Sequence, residues 1–236
     1  MTEGFLDGLP LAFTRFSIDA RPAGLVVVDE VRGFAAVGCG PLAPPAPDPV
    51  IDRMIAETDR LARAFAERGR PILVFRDSHI PGKAEPPYPP HCEQGSGDDE
   101  LVSELAWLAD CPQATLMAKD CINGFIGGID PVSGQNRVTD WIAANGVEAV
   151  LVVGICTDIC VMDFVLTLLS ARNHGLAAPL ADVVVHEPGC ATYDLPREVA
   201  ETLGLPSVAA HPRRETHHMG LYFMASRGAV LSSDSR

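Results

Sequence analysis

The chain has 236 residues, 47% of them hydrophobic, and a formal charge of −13; it can close one full core around a sheet, and no composition break marks a second domain. Its basic residues are scattered rather than clustered, which disfavours nucleic acid as a partner and points to a small-molecule ligand. No apolar run approaches a membrane span, and the first 21 residues lack a basic stretch followed by an apolar core, so a cytoplasmic protein without membrane association is expected.

Residues 1–22 show no strong period and are expected to wrap the domain as an N-terminal extension. Leu25 to Val28 is a short apolar, β-branched run ending at Asp29, the pattern of a central strand buried on both faces. The stretch 38–49, rich in Pro and Gly, reads as loop. From Val50 to Glu67 the residues Ile51, Met54, Ile55, Leu61, Ala62 and Phe65 keep helical spacing; Asp48 and Pro49 suit the N-cap and first turn, and Gly69 stops the helix. Ile72 to Phe75 reads as a second buried strand. The segment 77–99 after it is long, irregular and crowded with Pro and Gly, and such a loop in a compact domain is usually functional.

Strand pattern at Thr115 to Ala118, helix at Val138 to Asn145, strand at Val150 to Val153 and a long helix from Thr157 to Asn173, with Thr157 at its N-cap, continue the alternation. Val183 to Val185 reads as strand, and Arg197 to Leu203 and Pro212 to Ala225 as helices. This order predicts a three-layer α/β/α fold around a mostly parallel sheet, organised as a single domain over 1–236.

Ligands of an open parallel sheet bind beyond the carboxyl ends of its strands. The residues that follow the apolar runs are Asp29, Asp77 with His79, Lys119, and the turn from Gly154 to Cys160. Cys160 falls in the first turn of a helix, where the helix N-terminus lowers a thiol pKa and free backbone N–H groups can form an oxyanion hole; the alternative is a small buried hydrophobe. Asp29 either ends its strand as a cap or acts as the base for the Cys160 proton. Of 18 basic residues only Lys83 and Lys119 are lysine. At the end of a buried strand Lys119 would be a compact charge holding Asp29 and the thiolate, with a surface role as the alternative.

The loop after the second strand carries Asp77, His79 and His91, a donor set suited to zinc, manganese or iron(II), with Glu85 or a water available for a further position. Two histidines and an acid in a loop also occur without an ion. Pro86, Pro87, Pro89 and Pro90 stiffen the return of His91, and Tyr88 among them is either a wall for a planar ligand or a surface aromatic. Seven cysteines (Cys39, Cys92, Cys111, Cys121, Cys156, Cys160, Cys190) make an odd set without C-x-x-C pairs, so reduced thiols are expected. The C-x-x-x-C spacing of Cys156 and Cys160 argues against a disulfide within the turn.

From about Leu25 to Val230 the chain resembles the isochorismatase-like cysteine hydrolases, and within them the plant-type branch of the nicotinamidases. The resemblance rests on VVVDEVRGF from Val26, FRDSH from Phe75, YPPHCEQGSG from Tyr88, KDCINGF from Lys119, VVGICTDICVMDFVLTLLSARNHG from Val152 and HHMGLY from His217. It implies the hydrolase fold of that family, a catalytic triad of Asp29, Lys119 and Cys160, and an oxyanion hole from the N–H groups of Cys156 and Cys160. It also implies a cis peptide between Ile155 and Cys156. One divalent ion, zinc first and manganese or iron as alternatives, would be held by Asp77, His79 and His91 with Glu85 near a fourth position. The ion would hold a pyridine nitrogen, with Phe34 and Tyr88 around the ring and Ile155 beside them in the pocket. Self-association is a further implication. Val31, Arg32 and Gly33 replace the usual Gln-Asn-Asp stretch after the acid, and Tyr88 stands for a common tryptophan. These departures touch the pocket edge and leave the triad intact. The expected reaction is hydrolysis of nicotinamide to nicotinate and ammonia through a Cys160 thioester; a sibling amidohydrolase for another heteroaromatic carboxamide and a catalytically silent binding module are the alternatives.

Overall fold

The computed structural model describes residue 6 and residues 8–83 and 85–235. Seven strands form one sheet: β1 Phe13–Phe16, β2 Ala23–Val28, β3 Ile72–Asp77, β4 Ala114–Lys119, β5 Ala149–Ile155, β6 Asp182–Ala191 and β7 Val230–Ser235. Their order is β1-β7-β6-β5-β2-β3-β4 and every neighbouring pair is parallel. Four longer helices cover it: α1 Pro49–Glu67, α2 Arg137–Ala144, α3 Met162–Asn173 and α4 Arg213–Ala225.

The layers follow from the period of two along each strand. Leu25 and Val27 of β2, with Ile72 and Val74 of β3, enter the core under α1 together with Ile51, Met54, Leu61 and Phe65. Val26, Val28, Leu73 and Phe75 point the other way, into the core shared with Ile142, Phe164, Leu168, Leu221 and Met224 of α2, α3 and α4. Each such side chain gains about 1.5–3 kcal/mol on full burial, so a strand covered on both faces has reason to be apolar throughout. That is why β2, β3 and β5 were legible as unbroken apolar runs. At the start of α1, Asp48 caps as expected, accepting the Val50 N–H at 3.0 Å, with Pro49 in the first turn.

The edge of the sheet departs from expectation. Phe13–Phe16, inside the segment expected only to wrap the domain, is a strand, and it pairs with the C-terminal strand β7. Both lie at one end of the sheet, and neither carries a run of apolar residues. Ser103–Asp110, for which no element was predicted, forms a 3₁₀ helix whose Leu105 and Leu108 fill the α1 core.

At the centre, β5 and β2 approach closely. Gly154 has a φ of 132°, and a Cβ there would lie 2.1 Å from the Val28 carbonyl oxygen. Only glycine permits this contact, and it occurs where β2 delivers Asp29 and β5 delivers the turn before Cys160.

Candidate active site

The strands β5, β2, β3 and β4 are adjacent, and their carboxyl ends carry the Cys156–Cys160 turn, Asp29, Asp77 and Lys119 in that order. Register does the close placement: Val28 is opposite both Gly154 and Phe75, and Asp77 is opposite Lys119. The chain leaves β2 through Asp29 with φ 54°, a left-handed conformation that Asp tolerates better than most residues.

Lys119 joins two carboxylates. Its Nζ lies 2.8 Å from Asp29 Oδ2 and 2.8 Å from Asp77 Oδ1, and it donates to the Cys121 carbonyl at 2.9 Å. The Lys119 and Asp29 side chains are both 0% exposed, so this is a buried ion pair rather than a solvated one. Burial works against the ammonium, but Asp29, Cys160 and Asp77 hold its pKa well above the ordinary lysine value. Burial also pushes Asp29 up, to about 6, against the pull of Lys119 and a smaller lowering by the Cys160 thiol.

The thiol behaves differently from the expectation drawn from its place at a helix start. Burial carries the Cys160 pKa well above that of a free thiol, despite Lys119 nearby. Desolvation outweighs the helix terminus, so the resting side chain is a neutral thiol. Asp29, beside it, is ionised at neutral pH.

The turn itself differs in one detail. Cys156, not Thr157, occupies the cap position, and the helix opens with a π turn over Thr157–Val161 closed by the Val161 N–H on the Cys156 carbonyl. The Thr157 hydroxyl shares a hydrogen bond of 2.9 Å with His217 Nδ1, so a tertiary partner has taken it from the capping role. The Ile155–Cys156 peptide is cis, as the resemblance implies. Among the described residues, neither the Cys156 nor the Cys160 N–H bonds to a backbone oxygen outside that turn. Ile155 is placed differently from the expectation of a pocket-lining side chain: it is 1% exposed and belongs to the core under α1, so it meets the turn through its backbone.

Beside this group, Asp77 Oδ2 lies 3.0 Å from His79 Nε2 and 3.2 Å from His91 Nε2, and one ligand atom from each of the three buried residues falls within 4.8 Å of the others. The loop closes by a short bridge, with the His79 N–H donating to the Cys92 carbonyl and the Gln94 N–H to the His79 carbonyl, each at 2.9 Å. This brings His91 back over β3. His91 Nδ1 donates to the Pro89 carbonyl at 2.7 Å, which turns Nε2 toward Asp77. Glu85 Oε2 is 3.6 Å from both Nε2 atoms, while its Oε1 accepts the Ile122 N–H at 2.8 Å. Burial alone would raise the Asp77 pKa, but Lys119 and the two imidazoles hold it far below the carboxylate range. An ionised carboxylate and two oriented imidazoles fit a divalent metal ion. The rings of Phe34 and Tyr88 stand 5.5 and 6.0 Å from that of His91.

Two histidines without a predicted role also touch the Cys156–Cys160 turn: His217, from the HHMGLY stretch, and His211, whose Nε2 lies 2.8 Å from Asp158 Oδ2. His211 stands alone in sequence and offers no local signal.

Residues 23–233 match the isochorismatase domain family over most of the chain. The chain belongs to the isochorismatase family. Within that family it is 49% identical over 210 residues to Nicotinamidase 1 of Arabidopsis thaliana, covering 89% of this chain and 85% of the relative. Among solved structures, the nicotinamidase of Bacillus subtilis superposes with a TM-score of 0.65 at 22% identity, covering 90% of this chain and all of the other. The zinc-complexed pyrazinamidase of Pyrococcus horikoshii does so with a TM-score of 0.62 at 24% identity, over 89% and 98% of the two chains. N-carbamoylsarcosine amidase of Thermoplasma acidophilum, at 22% identity, has a TM-score of 0.62 over 90% and 96%. At these identities the solved structures share with this isochorismatase-family chain the fold.

Proposed function

We propose that the protein is a nicotinamidase, hydrolysing nicotinamide to nicotinate and ammonia with Asp29, Lys119 and Cys160 as its catalytic residues. The observation that carries this reading is the buried Lys119 ammonium, 2.8 Å from both Asp29 and Asp77, which joins a nucleophile group to a metal-ligand group in one site. The 49% identity to a plant nicotinamidase supports the choice of substrate.

In this mechanism Asp29 takes the Cys160 proton as the sulfur adds to the amide carbon, and the N–H groups of Cys156 and Cys160 receive the oxyanion. Asp29 returns the proton to the nitrogen, the C–N bond breaks and ammonia leaves a thioester on Cys160. A water then gives Asp29 its proton as it adds to the thioester carbon, and the C–S bond breaks to release the acid and restore the thiol. Lys119 keeps Asp29 ionised between these steps. Phe34 and Tyr88 flank the ring. Asp77, His79 and His91, with Glu85 as the nearest further donor, would hold zinc, or alternatively manganese or iron; such an ion supplies a Lewis acid for a ring nitrogen. A single domain, self-association and a cytoplasmic location belong to the same reading, supported by composition and by the family resemblance.

The test is ammonia release from nicotinamide, pyrazinamide, benzamide and an aliphatic amide by the metal-replete protein. Fast turnover of the two ring-nitrogen amides and slow turnover of benzamide is the expected result. No turnover of any of the four would overturn the assignment.

A further inference from the structure

The turn that carries Cys156 and Cys160 is held from outside the triad. No side chain caps it at Cys156, and the two residues that follow are instead tied to histidines of a different part of the chain. Thr157 shares its 2.9 Å hydrogen bond with His217 Nδ1 on α4, and His217 Nε2 lies 3.6 Å from Glu187 Oε1 on β6. Asp158 Oδ2 accepts from His211 Nε2 at 2.8 Å, and His211 Nδ1 donates to the Tyr193 carbonyl at 2.9 Å. Both His211 nitrogens face acceptors, so both carry protons and the ring is a cation paired with Asp158. The Tyr193 ring stacks on it with centroids 3.9 Å apart. The helix backbone is also flush with the turn, since a Cβ on Gly220 would lie 2.9 Å from Asp158 Cα.

Thr157 and Asp158 sit between the two N–H groups that receive the oxyanion. Such donors work only within a few tenths of an ångström of the developing charge, and the loss of one costs roughly 10²–10³-fold in kcat. We propose that His211 and His217 are positioning residues that fix the Cys156 and Cys160 N–H groups for the oxyanion, acting through Asp158 and Thr157 without touching substrate. The inference rests on the amide hydrolysis proposed above.

Its test measures two reactions of the same thiol in metal-replete protein: nicotinamide hydrolysis, and alkylation of Cys160 by iodoacetamide followed by mass spectrometry of its peptide. Alkylation is a displacement at a saturated carbon and develops no oxyanion, so it reads the thiol and not the N–H pair. His211→Ala and His217→Ala should each lower kcat about tenfold, a partial loss of what one oxyanion donor supplies, with KM and the alkylation rate within about twofold of wild type. His217→Asn, which keeps a hydrogen-bonding atom near Nδ1, and His211→Gln, which keeps one near Nε2, should recover most of kcat. Thr157→Val, close to isosteric, serves if the alanine variants fail to fold and should also lower kcat alone. Values of kcat within twofold of wild type would overturn the inference, and so would a parallel fall in alkylation, which would mean that the sulfur itself had moved. An inactive wild-type protein would instead bring down the proposed function and this inference together.

Discussion

Asp29 and Glu30 are neighbours in the chain and equally buried, yet they stand in different surroundings. Asp29 meets the Lys119 ammonium at the carboxyl edge of the sheet, whereas Glu30 turns toward α1, where the Thr58 hydroxyl donates to its Oε1 at 2.6 Å. Among the described residues Glu30 Oε2 has no hydrogen-bond partner and no cation beside it. Burial raises both acids, but Asp29 reaches about 6 and Glu30 about 8. At neutral pH the first is an ionised base and the second a neutral acid. The difference shows what Lys119 does: desolvation alone would make Asp29 a proton store, and one cation returns it to use as a base.

The sharpest break of that comparison is to remove what Asp29 serves. Cys160→Ala should abolish nicotinamide turnover, a loss of roughly 10⁴-fold or more, while the protein still binds the ring; tight-binding ligand titration beside the ammonia assay checks both halves. Asp29→Asn keeps the shape and loses the base, and should lower kcat about 10²–10⁴-fold in the same assay. Lys119→Met tests the cation directly. In the wild type, kcat/KM should fall about tenfold per pH unit below about 6, because the raised Asp29 pKa makes the base present above that value and absent below it. Without the ammonium this acid limb should move to higher pH, since Lys119 is the largest lowering influence on Asp29, and a pH profile that stays near 6 would break the comparison. The smallest effect is expected from Glu30→Gln. The folded-state pKa of Glu30 is raised from 4.5 to about 8, so its share of wild-type stability is present below 4.5 and is lost as pH rises toward 8. The glutamine variant should therefore gain thermal midpoint over wild type at pH 8 and gain little at pH 5, a shift on the order of a few degrees for a chain of this size.

Much of the site was readable because it lies at the ends of central strands. The runs in β2, β3 and β5 are apolar for a reason internal to each strand, namely cover on both faces, and the polar residues that follow them, with Lys119 at the end of the edge strand β4, lie together at the carboxyl edge of the sheet. The strands β1 and β7 were not readable: the edge strand β1 is mostly exposed and needs no apolar run, with Phe13 42% exposed, and β7 beside it is half serine. His79 and His91 were candidates by residue type, but their convergence on Asp77 depends on the bridge between His79 and Glu93 that closes the loop. Thr157 has the residue type of a cap and a position that suits one, yet its hydroxyl went to His217 from a distant helix.

The sequence by itself determined the layer order, the parallel sheet and the identity of the groups at its carboxyl edge, because these follow from local periodicity and from which residue ends each run. Only the tertiary structure decided their states. Whether Asp29 is a base, whether Cys160 rests as a thiol and where Ile155 points are set by desolvation and by charges that arrive from other strands. Those energies depend on distances of a few ångströms between segments far apart in the chain, and no local pattern encodes them.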